Sequence, residues 1–214
     1  MSEPYSVILK THIDRPALVK WLDAPMEPVA QWNDWSALGN VWFNIDWTSA
    51  PQEHGAYVDR ISGHDIANTH RQSAQRMFIY GAGPAPLELC AYDESQSLFT
   101  YAIGMYDTGP FGLLCFLSWA RSIAPYLGDM QSGYAVAHNY LWGRSWEGAL
   151  GVLGLGPNQS MLLEPLEAHV KAYRKHAEDA IRSFDAAGFD EADIDDYVTL
   201  GKKSPAYQML GALR

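Results

Sequence analysis

Two histidines, an aspartate and an arginine fall within one polar stretch, HDIANTHR, and these are residue types that hold metal ions and activate water. His64, Asp65 and His70 could supply imidazole and carboxylate ligands to zinc or iron, with Arg71 beside them. Their spacing argues against a shared ion. Positions 64 and 70 are six apart and so point to different sides of a helix. The H-E-x-x-H arrangement, which aligns two ligands at i and i+4, is missing. Metal-assisted hydrolysis of a small molecule by a dispersed site around these four residues is therefore the alternative function, not the leading one.

The stretch GALGVLGLGPNQSM, from Gly148, raises the same question for phosphate. A dinucleotide loop needs G-x-G-x-x-G between a strand and a helix, so that backbone amides can approach the pyrophosphate. Gly154 and Gly156 supply G-x-G, but Gln159 stands where the third glycine belongs. A P-loop fails too, because Pro157 and Asn158 occupy the Lys and Ser/Thr positions. The expected element is an apolar strand or turn, followed by helix caps at Asn158 or Ser160.

Other chemistries find little to use. Ser145 in GRSWEG lacks the G-x-S-x-G spacing of a nucleophile elbow. Cys90 and Cys115 sit among apolar residues, which disfavours the thiolate. The acidic run FDEADIDD lacks the glycine and spacing of a calcium loop. His169 and His176 are about two helical turns apart, too far for one ion. No cofactor is expected.

Several elements must position whatever site exists. YSVILKT, at 5–11, reads as a strand, and Asp14 with Pro16 opens a helix that Pro25 stops. NVWFNIDWT alternates apolar and polar residues as one strand would. MFIY is a further candidate strand. PLELCAYD and SLFTYAIGMY flank the turn DESQ as a hairpin. GLLCFLSWARSI, apolar almost all round, is expected to be a buried helix, and GYAVAHNYLW a strand. A long amphipathic helix is expected from Pro165 to Gly188, followed by shorter ones opened by Asp190 and by Ser204 with Pro205. Without regular βα alternation, the expected fold is α+β: one domain over 1–214, with a largely antiparallel sheet and a helical C-terminal part.

Length and charge narrow the function. A chain of 214 residues, 48% hydrophobic and 19% charged, can bury a genuine core. The net charge of -10 disfavours nucleic acid and makes a basic partner more plausible than an acidic one. The strongest apolar run, FGLLCFLSWA, is too short for a membrane span, and no signal segment opens the chain, so a soluble cytoplasmic protein is expected. Four of the eight tryptophans fall in QWNDWSALGNVWFNIDW. Tryptophan is prominent among interface hot spots, so Trp32, Asp34, Trp35, Trp42, Asn44 and Asp46 are the expected partner-binding residues. The expected function is a protein-binding domain that neutralises or scaffolds a basic partner. Bacterial toxin-immunity proteins are objects of this type, although the likeness covers no motif.

Overall fold

The first strand of the chain is central in its sheet. The computed structural model describes residues 5–38, 40–41, 45–46, 69–79, 87–107, 109–139, 149–163 and 204–214. In it, β1 (Tyr5–His12) is followed by α1 (Arg15–Asp23), two 3₁₀ turns (Val29–Gln31 and Trp35–Leu38), and the two-residue strands β2 (Asn40–Val41) and β3 (Ile45–Asp46). Then come α2 (His70–Ile79), β4 (Leu87–Asp93), β5 (Leu98–Asp107), α3 (Pro110–Arg121), β6 (Gly133–Asn139), β7 (Ala149–Gly156), β8 (Gln159–Leu163) and α4 (Pro205–Ala212). Six strands form one sheet in the order β4-β5-β1-β6-β7-β8, with every neighbouring pair antiparallel. The fold is α+β, as the sequence predicts.

Strand alternation decides what lies on each face. Tyr5, Val7 and Leu9 of β1 join the main core, which also takes Leu18, Trp21, Ala74, Phe78 and Leu113 from the helices. Ser6, Ile8, Lys10 and His12 alternate with them and belong to the opposite face. Ile8 is paired there with Val136, and Lys10 with Tyr134. Val136, Val152 and Tyr134 form a separate, smaller buried cluster.

Since β5 and β6 both run antiparallel to β1, they are parallel to each other, and α3 crosses the helix side of the sheet between them. Its surroundings explain its composition: α3 contacts β5, β6 and β7 as well as α2 and the 3₁₀ turn at 29–31. Leu113, Leu114, Phe116, Leu117, Trp119 and Ala120 are all fully buried. Helix α1 is opened by Pro16, buries Leu18, Trp21 and Leu22 at i, i+3, i+4, and ends where Ala24 turns extended before Pro25. Helix α4 is capped by Ser204, whose Oγ accepts from Tyr207 N–H at 3.0 Å, and packs against β4 and α2.

Three sequence expectations change. The 40–46 stretch is two short strands paired antiparallel, Asn40 with Asp46 and Val41 with Ile45, not one continuous strand. Alternation constrains which face a residue takes, not where the chain reverses. Met77, Phe78 and Ile79 end α2 rather than forming a strand, because Met77 and Phe78 bury beside Ala74 on one helical stripe. The glycine run does not lead into a helix: it is β7, and it closes a hairpin with β8. Pro157 fixes φ at the first loop position, and Asn158 takes the left-handed φ of +56° at the second, a conformation asparagine tolerates. The helices expected at 165–188 and from Asp190 lie outside the described residues.

Gly133 leaves no room for a side chain where β6 meets β1. A Cβ there would fall 2.4 Å from the Thr11 side chain and 2.7 Å from the Lys10 carbonyl oxygen, whereas one at Gly156 would meet nothing within 4 Å. Gly133→Ala is expected to lower unfolding stability by about 1–3 kcal/mol, and Gly156→Ala to change it by less than about 0.5 kcal/mol. Urea unfolding of the two variants checks this, and equal effects would show that the strands are not so tightly apposed.

Candidate functional site

The described part of the tryptophan-rich segment is organised around Arg121, at the C-terminal end of α3. A guanidinium beside a nearly all-apolar helix has to be neutralised locally, since desolvating a bare charge costs several kcal/mol. Arg121 is only 3% exposed and meets Asp34 in a bidentate pair, Nη1 to Oδ1 at 2.6 Å and Nη2 to Oδ2 at 2.9 Å. Its Nε donates to Ser160 Oγ at 3.2 Å. The guanidinium carbon lies 5.2 Å from the Trp32 ring centroid and 5.1 Å from that of Trp35, within cation–π range.

The same contacts fix the segment as a whole. Trp32 and Trp35 meet edge to face, and Trp35 Nε1 donates to the Val29 carbonyl at 3.2 Å. Trp35 is 5% exposed and belongs to the main core. Trp32 packs against that core from a partly exposed position. Asp34, 33% exposed, keeps one edge in water while Leu162 N–H approaches Oδ2 at 3.4 Å. Burial alone would raise its pKa, but the hydrogen bonds and charge of Arg121 outweigh burial and hold the carboxyl below its ordinary value. Trp42 and Asn44 lie outside the described residues. Asp46 is placed in β3 opposite Asn40.

Of the hydrolytic candidates, His70 is built into the core. Its N–H donates to Ala24 O at 3.1 Å, its Nδ1 bonds the Trp21 carbonyl at 2.8 Å, and its own carbonyl accepts from Trp119 Nε1 at 2.9 Å. The ring stacks on Trp21 with centroids 5.3 Å apart. Burial lowers its pKa, so the neutral imidazole is favoured. Arg71 faces elsewhere: Nε donates to Asp23 Oδ1 at 2.8 Å, and Nη1 to the Leu210 carbonyl, tying α1 to α4. His64 and Asp65 lie outside the described residues. Among the described residues, no three His, Cys, Asp or Glu side chains gather closely enough to hold a metal ion. Burial also pushes the Cys90 thiol up to about 12, which suits packing and not nucleophilic attack. No helix among the described residues is long and apolar enough to cross a membrane.

Sequence reasoning missed a second feature, on the face of the sheet opposite the helices. There a cleft of about 580 Å³ lies over the ends of β1, β6, β7 and β8. One cross-strand row runs Lys10, Tyr134, Gly154, Met161, and the neighbouring row is Ile8, Val136, Val152, Leu163. Gly154 and Gly156 contribute no side chains, so the floor is low between a basic end at Lys10 and His12 and an apolar end at Met161 and Leu163. The glycine spacing was visible in the sequence. Its meaning depended on the pairing partners, which are remote.

Glu88 is a further titratable group without a settled partner. It lies opposite Ile103, on the helix side of β4, and neither carboxylate oxygen makes a hydrogen bond of normal geometry. Burial raises its pKa to about 7, with Ser204 at the start of α4 offsetting this slightly.

Two predictions arise here. Asp34→Ala strands a buried guanidinium and should cost about 3–5 kcal/mol, whereas Arg121→Met leaves a carboxylate that water reaches and should cost about 1–2 kcal/mol. Urea unfolding at neutral pH distinguishes them, and the reverse order would overturn the assignment. Because the Asp34 pKa is depressed on folding, its contribution is present above the unfolded carboxyl value and is lost as pH falls through the folded one. Glu88 has the opposite sign. Its folded state holds the proton more tightly, so its advantage is complete below the unfolded value of 4.5 and lost as pH rises to about 7. Glu88→Gln is therefore expected to raise Tm at pH 8 and to flatten the decline of stability between those pH values. A lower Tm at pH 8 would show that the charged carboxylate is stabilised in the fold.

No protein-family model, curated protein or solved structure matches this chain, so its function has to be read from its own residues.

Proposed function

We propose that this chain is a recognition domain, not a catalyst, and that it contacts a basic protein partner through the segment between α1 and β2. The observation that carries this reading is the way Arg121 immobilises an irregular surface segment from behind. Recognition residues commonly sit on loops held by a rigid scaffold, and a segment ordered before binding loses less entropy on association. The outer side of this segment combines an aromatic group with acids. Trp32 is partly exposed, Gln31 and Asn33 are exposed, and Glu27 and Asp34 each present part of a carboxylate.

The chemistry of a partner follows from that surface. An aromatic ring flanked by carboxylates suits a lysine- or arginine-bearing epitope, and the overall charge of -10 would accelerate encounter with a basic protein. Neutralising a basic toxin or effector, as an immunity-type protein does, is the biological role this surface would serve.

The test is capture from the native source, followed by titration of the recovered partner. A stoichiometric basic protein is expected to bind the wild type. Binding should weaken at least tenfold in the double variant Glu27→Lys, Asn33→Lys, whose side chains lie outside the Arg121 contacts. Unchanged affinity in that variant, with its near-UV circular dichroism intact, would refute the proposed contact surface.

A further inference from the structure

We propose that the cleft on the sheet face opposite the helices is a second binding site, for a small organic anion with an apolar body. The charged group would lie at Lys10 and His12, and the body over Gly154 and Gly156 against Met161 and Leu163. This inference does not depend on the protein-contact reading. Trp35 and Leu38 of the proposed contact segment belong to the core on the helix side of the sheet, while the cleft lies on the other side.

Three observations converge. The first is charge: in a chain of net charge -10, the described residues lining this cleft include a lysine and a histidine but no carboxylate. Among the described residues Lys10 makes no ion pair, since the three salt bridges there engage Arg15, Arg71 and Arg121. His12 donates Nδ1–H to the Gln96 carbonyl at 3.0 Å, which fixes its ring beside Lys10 at the carboxylate-free end of the cleft.

The second is shape. A volume of about 580 Å³ falls in the range of small-molecule sites. Strands are spaced by about 4.8 Å, so the three steps from Lys10 on β1 to Met161 on β8 span about 14 Å, the length of an extended small molecule. Between those ends the floor passes from Tyr134 to Gly154 with Gly156 beside it, and a Cβ at Gly156 would meet nothing within 4 Å. Backbone strain does not explain that glycine, because Gly156 does not adopt a left-handed φ.

The third is the exposed apolar surface at the far end. Met161 is 60% exposed and alternates with Leu162, which is buried in the main core. A flexible thioether beside Leu163 adapts readily to an apolar chain or ring. A cation at one end and an apolar wall at the other select an amphipathic anion over either a bare anion or a neutral hydrocarbon.

Isothermal titration calorimetry with decanoate below its micellar concentration, decanol and inorganic phosphate tests the proposal. Wild-type protein is expected to bind decanoate at one site, decanol at least tenfold more weakly, and phosphate without saturation. Lys10→Met should weaken decanoate at least tenfold and leave decanol unchanged. Gly156→Leu should fill the floor and abolish binding of both while leaving Tm within a few degrees of wild type. If that variant fails to fold, Met161→Glu provides the second test, and it should weaken decanoate at least tenfold by placing a carboxylate at the apolar end. Equal affinity for decanoate and decanol, no saturable decanoate binding, or undiminished binding in folded Gly156→Leu would each overturn the assignment. Saturable phosphate binding as tight as decanoate would replace it with a plain anion site.

Discussion

A cation withdrawn from water dictates its surroundings more strictly than any apolar side chain does. Arg121 is such a cation, and what surrounds it comes from two remote parts of the chain: Asp34 with Trp32 and Trp35, and Ser160 of β8. Because guanidinium geometry is planar and forked, the carboxylate must meet it edge on, and the two indole rings close in within cation–π range. The 3₁₀ turns at 29–31 and 35–38 make few regular backbone hydrogen bonds that could hold them in place. They keep their position because the arginine would otherwise be stranded. A non-regular stretch thereby gains the rigidity of a regular element, which makes it suitable as a surface for recognition.

The parts of this fold legible in the sequence are those governed by local rules. Pro16 and Pro205 open helices, Ser204 caps one of them, and the Asp93 side chain accepts from Ser95 N–H to shape the β4–β5 turn. The uniform apolarity of FGLLCFLSWA announces a helix that buries Leu113, Leu114, Phe116, Leu117, Trp119 and Ala120 completely, with Cys115 partly covered. Local pattern misleads where it diverges from long-range pairing. Nothing in NVWFNIDWT marks the reversal that pairs Asn40 with Asp46. Glycines that resemble a failed phosphate loop acquire meaning only once Gly154 is known to pair with Tyr134 and Met161. Arg121 did leave a sequence signal: a lone arginine closing an apolar helix needs an acid, and the aromatic-flanked Asp34 is the acid it finds.

His70 illustrates how the same residue type can serve structure instead of chemistry. A site histidine needs one ring nitrogen held and the other presented to substrate or metal. Here the first condition is met by the Trp21 carbonyl, but Nε2 is buried without a hydrogen-bond partner and the ring lies against indole. Backbone and side-chain bonds with Ala24, Trp21 and Trp119 converge on this one residue, joining the end of α1, the start of α2 and the last turn of α3. The polar pattern around position 70 thus encodes a junction of helices beneath a cluster of rings that also includes Tyr101, Phe78 and Phe116.

The central position of β1 also governs how this protein can be made. Its two partners are β5, which begins at Leu98, and β6, which begins at Gly133. Ribosomes add about 5–20 residues per second, so a strand of sequence YSVILKTH waits several seconds or more after synthesis before either neighbour exists. During that interval its backbone groups and branched apolar side chains have no native mate, which is the condition under which chaperones bind and chains aggregate. High contact order also slows refolding of the intact chain, because distant loops must close before the middle of the sheet gains any hydrogen bond. The arrangement that makes the finished sheet so well knit leaves β1 exposed until β5 and β6 are made.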